Sequence, residues 1–221
     1  MSISKAWDWI EGKSEIWLEP SEESYFLSDR WRKFGYKTLL DYGCGLGRHS
    51  AYFARQGFAV AAFDLSADGT DYLRAWAQRE NLNIDVRVAD MLDLPYADCG
   101  FDCLLAYHVI SHSDNAGVRR QMAEIRRVLR PGGEAYVTFC SKDSWVYREA
   151  GFPVIDANTV RKTEDGPEKD VPHWHADLDD IISLFGAAGL ELLRVRHKDE
   201  CYSDGAKTSS KHYFVLARKP K

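Results

Sequence analysis

Between Leu39 and Ser50 the chain reads LLDYGCGLGRHS, which sets Gly43, Gly45 and Gly47 on alternate positions behind an apolar run that ends in Asp41. Glycines so placed, between the end of a strand and the start of a helix, let a ligand approach the turn without meeting a side chain. The helix behind them offers free N–H groups. A dinucleotide fingerprint, G-x-G-x-x-G, needs its third glycine at position 48, where this chain has Arg, and that residue counts against a nicotinamide or flavin dinucleotide. Asp41 is costly to bury unless it accepts hydrogen bonds from the glycine loop or from a ligand, so it is expected to organise that loop. Asp64 closes the run FAVAAF, 21 residues beyond Gly43. An acid at that strand end can accept both hydroxyls of a ribose, or it can cap the helix that starts near Ser66. Asp90 follows IDVRVA and precedes Met91.

The seven histidines are the other residues able to move protons or hold ions. His108 and His112 follow the run FDCLLAY, and His173 and His175 lie in VPHWH. His173 and His175, with His108 or His112, are conceivable metal ligands, but the i, i+2 spacing in a Pro-flanked loop is weak and no acid is evidently paired with it, so no metal site is expected. Arg48 and His49 stand at the first turn of the helix behind the loop, to reach a ligand or face solvent. Cys44 has no base assigned to it, and the geometry of the loop alone accounts for a small residue there.

These residues need a frame of alternating strands and helices. From Thr38 onward short apolar runs alternate with helical patterns, the rhythm of βα units in a parallel sheet. Strands are expected near 38–42, 58–63, 84–89, 101–107 and 134–140. Helices are expected at about 47–56, 66–80 and 115–129, with Ser66 and Asp114 as caps. Arg130-Pro131-Gly132-Gly133 breaks the third helix. Residues 141–175, interrupted by Gly151, Pro153, Gly166, Pro167 and Pro172, read as an irregular insertion. Leu178, Ile181, Ile182 and Phe185 mark a further helix. Strands near 190–196 and 212–218, joined by CYSDGAKTSS, must then run antiparallel. Two units follow: residues 1–37 as a helical cap or lid, and 38–221 as the domain carrying the insertion. Trp7, Trp9, Trp17 and Trp31, four of the seven tryptophans, lie in the first unit. They either pack over the sheet edge or close over a bound ligand.

Asp41-x-Gly43-x-Gly45-x-Gly47 after an apolar strand resembles motif I of the class I S-adenosylmethionine-dependent methyltransferases. Asp64, Asp90 with Met91, and FDCLLAYHVISH followed by LRPGG come after it in the family's order and extend the resemblance over residues 38–140. It is closest in character to the small-molecule, methyltransferase type 11-like members, and GRHS is similar to the same group. The resemblance implies an α/β fold: a Rossmann-like, seven-stranded, mostly parallel sheet with a reversed C-terminal hairpin and helices on both faces. It implies S-adenosylmethionine as cofactor and S-adenosylhomocysteine as product, contacted by Asp41, Gly43, Cys44, Gly45, Gly47, Asp64, Leu65, Asp90, Met91 and Tyr107. In the family the acid at Asp64 takes the ribose hydroxyls and the acid at Asp90 accepts from the adenine amino group. Methyl transfer asks the protein mainly to align the acceptor and exclude water, with a base only where the acceptor loses a proton. His108 and His175 are the residues expected to contact the acceptor, against the alternative of imidazoles simply packed or hydrogen-bonded. A binding module that holds the cofactor without catalysis is the rival reading.

The bulk composition narrows partners rather than chemistry. The 221 residues are 45% hydrophobic and 29% charged, as in one globular domain with appendages. No run approaches the roughly 20 apolar residues of a membrane span, and MSISKAWDWIEGKSE lacks the pattern of a signal peptide, which points to a cytoplasmic protein. Five cysteines without CxxC pairs are expected as reduced thiols. A net charge of −5 argues against a nucleic-acid partner, and Arg119, Arg120, Arg126, Arg127 and Arg130 read as the solvated face of an amphipathic helix. The expected partner is a small-molecule acceptor, with no nucleic acid and no membrane; neither its identity nor the oligomeric state is legible.

Overall fold

A computed structural model describes residues 7, 9, 15–201 and 209–221. Five parallel strands carry the site: β1 (Thr38–Tyr42), β2 (Ala59–Asp64), β3 (Ile84–Val88), β4 (Phe101–Ala106) and β5 (Leu129–Ser141). Between them run α2 (Arg48–Arg55), α3 (Ala67–Arg79) and α4 (Asn115–Val128), preceded by α1 (Glu22–Lys33). The strands lie in the order β3-β2-β1-β4-β5. The long hairpin of β9 (Glu191–Cys201) and β10 (Ser209–Arg218) joins β5 antiparallel through β10. The mostly parallel sheet with its reversed hairpin is therefore present, and the described residues extend it from the expected seven strands to ten. The turn joining the hairpin, residues 202–208, lies outside the described residues. The order reverses between β1 and β4, and in such sheets ligands bind in the crevice outside the strand ends at that switch.

Strands covered on both faces read as continuous apolar runs, and β1 and β4 do so. Successive residues serve opposite faces: Leu40 and Leu104 pack with Met122, Ile125 and Phe185, whereas Leu39 and Leu105 pack with Leu27, Trp31 and Phe53. The edge strand β3 has the mixed burial of a strand with one neighbour. Ser66 accepts from the Gly69 N–H and Asp114 from the Gly117 N–H, so both expected caps are in place. Gly132, at φ +81°, turns the chain out of α4, and pairing of β4 with β5 shifts register there. Among the arginines of α4 and its exit, Arg127 pairs with Glu124 and Asp98, and Arg130 with Asp102.

The segment 141–175 is more regular than its glycines and prolines imply. After the short α5 (Trp145–Arg148), β6 (Val154–Asp156), β7 (Thr159–Arg161) and β8 (Pro172–Ala176) form an antiparallel set. β8 joins β5 in parallel through Cys140 with His175 and Ser141 with Ala176. Three-residue strands carry no detectable alternation, and pairing with β5 supplies the order that local sequence lacks. α6 (Leu178–Ala187) follows under a capping box of Asp177 and Asp180.

α1 is fixed to the sheet. Buried Glu134 accepts from Arg30 at 2.8 and 2.7 Å and from the Trp31 indole at 3.0 Å. Trp31 itself is fully buried beside Phe53. Packing thus accounts for Trp31, whereas Trp7, Trp9 and Trp17 form a separate cluster with ring centroids 5.5 to 5.9 Å apart. Among the described residues no helix is long and apolar enough to cross a membrane.

Candidate active site

Gly43, Gly45 and Gly47 have φ of +70°, +53° and +91°, the left-handed region that side chains resist. They also lack room for one. A Cβ on Gly43 would fall 2.3 Å from a Val109 methyl, and one on Gly47 2.3 Å from a Leu73 methyl. On Gly45 it would meet the Trp9 ring at 2.4 Å. The loop is tied to the end of β2 by the Cys44 N–H, which donates to the Phe63 carbonyl at 2.8 Å. Asp64 completes the tie by accepting from the Gly45 N–H at 2.8 Å and the Ser66 N–H at 2.9 Å. Burial raises the Asp64 pKa, and these backbone donors pull it back.

Asp41 is buried and accepts from the Ser50 hydroxyl at 2.5 Å. Burial pushes its carboxyl up to about 6, with Ser50 and Arg48 working in the other direction. It holds the first turn of α2 behind the loop, a variant of the organising role expected of it. Cys44 is buried and its thiol is pushed well above the usual range, the opposite of an activated nucleophile. Leu65 is half-buried beside Asp64. Asp90 accepts from the Leu92 N–H at 2.8 Å, and Met91 is buried with its carbonyl accepting from the Tyr42 hydroxyl at 2.6 Å. The Ala89 N–H donates to the Asp64 carbonyl, so the ends of β2 and β3 are joined. All these residues lie on the rim formed by the carboxyl ends of β1, β2 and β3.

Tyr107 and His108 leave β4 on the same rim. The Tyr107 hydroxyl reaches Glu23 of α1 at 3.3 Å, and its ring lies under the Arg48 guanidinium. His108 adopts φ +55° with its N–H donating to the Thr138 hydroxyl at 2.7 Å. His175 is buried on β8, where a ring nitrogen donates to the His173 carbonyl at 2.8 Å. The sheet brings His108 and His175 to one end of the molecule and adds a third imidazole there. His212 of β10 is register partner of Cys140, whose other neighbour is His175, and the His212 ring lies 4.4 Å from that of His108. Burial lowers the pKa of His108 well below its ordinary value and that of His212 to about 4, so both are neutral near pH 7. His49 is also buried, its ring 5.1 Å from Tyr107. Glu168 stands beside His112 and His173. No local pattern marks His212 or Glu168; only the pairing of β5 with β8 and β10 places them.

A surface concavity of about 470 Å³, lined by Asp98, Cys99, Arg126 and Lys219 among others, lies at the opposite, amino ends of the parallel strands. It is remote from every residue above, and the switch-point rim is the better candidate on chemistry and topology. Over that rim the Trp9 ring fills the hollow between Gly45 and Gly69.

Residues 39–133 match the family described as a methyltransferase domain. Over 99 residues the chain is 39% identical to methyltransferase GfsG of Streptomyces halstedii, covering 43% of this chain and 34% of the relative. Over 101 residues it is 37% identical to a ubiquinone biosynthesis O-methyltransferase of Caulobacter vibrioides, covering 45% and 39%. A solved SAM-dependent methyltransferase of Methanosarcina mazei shares the fold with a TM-score of 0.71 and 21% identity, over 83% of this chain and 92% of that one. The chain spans between a third and two fifths of the length of these two curated relatives. With its glycine loop and its strand order, the chain has the fold of the solved S-adenosylmethionine-dependent methyltransferase, and its residues 39–133 match the methyltransferase domain family.

Proposed function

We propose that this protein is an enzyme that transfers the methyl group of S-adenosylmethionine to a small-molecule acceptor. The observation that carries the reading is the convergence of the glycine loop, Asp64 and Asp90 on one rim at the point where the strand order reverses. The residues fit the cofactor. Three glycines give backbone access, two carboxylates stand at neighbouring strand ends, and the hollow over Gly45 already accommodates a flat aromatic ring. When bound, the cofactor supplies a methyl group on a sulfonium, open to in-line displacement.

The remaining work falls to the chain. Asp64 holds the ribose, Asp90 and Met91 the adenine, and Gly43, Cys44, Gly45 and Gly47 the methionine end, with Asp41 and Leu65 supporting the loop. Tyr107 closes the side towards β4. His108 and His175 contact the acceptor. Neutral His108 is able to take a proton where the acceptor must lose one. Trp7, Trp9 and Trp17 act as a lid that gives way to the cofactor and then shields it from water, which methyl transfer requires.

Titration calorimetry with S-adenosylmethionine and S-adenosylhomocysteine tests the first half of this reading, and release of S-adenosylhomocysteine from a panel of small hydroxy, amino and thiol acceptors tests the second. Saturable binding that weakens about 10- to 100-fold in Asp64→Asn is expected, the loss of hydrogen bonds to a charged group. Absence of binding to either compound rejects the proposal. Binding without turnover on any acceptor favours a sensor.

A further inference from the structure

His112 lies in the loop after β4, His173 on β8 and Glu168 in the loop before β8. His112 Nε2 is 3.7 Å from Glu168 Oε1, and His173 Nε2 is 3.3 Å from the same oxygen. The three atoms lie within 4.8 Å of one another. Ligand atoms about 2.1 Å from a tetrahedral ion stand about 3.4 Å apart. Both contacts of Glu168 are close to that spacing.

His173 supplies an independent sign. Its Nδ1 lies 3.0 Å from the Val171 carbonyl oxygen, which can only accept, so Nδ1 carries the proton and Nε2 presents a lone pair. The residue is 4% exposed, and Nε2 has no hydrogen-bond partner. What it faces is a carboxylate oxygen, a second acceptor. A buried acceptor aimed at a half-buried carboxylate oxygen calls for a cation between them. The Lys162 ammonium pairs with the other oxygen, Oε2, and so leaves Oε1 as the atom turned toward the imidazoles. A ligating carboxylate is commonly steadied in this way by a neighbouring donor.

We propose that His112, Glu168 and His173 form a binding site for a divalent transition-metal ion. Two imidazoles and one carboxylate suit zinc or ferrous iron rather than magnesium or calcium, which take oxygen ligands. Three protein ligands leave coordination positions open to water or to an oxygen or nitrogen of a bound molecule. Trp7 stacks on His112 at 5.9 Å and touches Trp9, which covers Gly45, so the site borders the rim assigned to methyl transfer. On that reading the open position is where an acceptor atom would be anchored; the ion site itself stands without it.

Untagged full-length protein, stripped with a chelator and dialysed, is titrated with Zn²⁺ by calorimetry and with Co²⁺ by visible absorption. One ion per chain is expected, with the d–d band of a low-coordinate Co²⁺ site. Glu168→Gln and His112→Ala, shown to be folded by circular dichroism, should each lose at least about 100-fold in affinity. Both variants should still bind S-adenosylmethionine, which separates this site from the cofactor site. No saturable ion binding by the wild type overturns the proposal and leaves a shared proton between His173 and Glu168. Equal ion binding by the wild type and both variants overturns it as well, since the ion is then held elsewhere.

Discussion

The rim of the sheet has two halves built by different means. On the side of β1, β2 and β3, the groups assigned to the cofactor are backbone positions and carboxylates at strand ends, all within residues 41–91 and tied by main-chain hydrogen bonds. Toward β5, β8 and β10 the lining is imidazoles, contributed by His108, His112, His173, His175 and His212 and brought together by strand pairing across the whole chain. The first half depends on glycine dihedrals that the βα turn enforces, so its shape follows from the fold. The second half depends on which side chains an insertion and a terminal hairpin deliver. A fold can therefore fix how the cofactor is held while leaving the acceptor to be chosen by segments added around it.

The sharpest way to break this division is Gly47→Ala. An alanine there must adopt φ +91° and drive its methyl into buried Leu73. Strain and overpacking together should cost about 3 kcal/mol of stability, with cofactor binding lost, as read by denaturant titration and calorimetry. Asp41 gives a pH signature confined to the same half. Its folded pKa of about 6 exceeds the unfolded value near 3.8, so the native state holds this proton more tightly. The Asp41 contribution is favourable at low pH and is lost as pH rises from about 4 through 6, by up to about 3 kcal/mol. Relative to wild type, Asp41→Asn should therefore gain stability across that window in paired denaturation curves. A flat difference would show that Asp41 is not desolvated as described.

In the other half, His108→Ala should lower kcat by about 100-fold on an acceptor that must lose a proton, with the cofactor Kd unchanged. A parallel loss of cofactor affinity would merge the two halves into one. The smallest effect is expected from Trp9→Ala. Emptying the hollow over Gly45 should speed cofactor association a few-fold in stopped-flow fluorescence, as for a lid that no longer has to open. Unchanged association would make the tryptophan cluster simple packing.

Much of the cofactor half was legible because its signals are local. Glycines at alternate positions, Ser66 and Asp114 as caps, and apolar runs ending in Asp41 and Asp64 each act within a few residues of themselves, and the strands they imply lie where expected. α1 lies in the N-terminal segment, and the ion pair of Glu134 with Arg30 and the burial of Trp31 separate that helix from the tryptophans above the loop. The insertion is more ordered than its glycines and prolines imply, since strands of three residues have too few positions to show a period.

Sequence by itself determined the α/β class, the strand and helix succession from Thr38 to Ser141, and the glycine loop with its two following acids. Backbone dihedrals and alternation of apolar residues are properties of short segments, so a linear reading captures them. Tertiary structure alone decided that Glu168 meets His112 and His173, and that His212 stands beside His108, across β5 from the strand bearing His175. Contacts between residues tens of positions apart are set by strand pairing and packing in three dimensions, for which adjacency along the chain carries no signal.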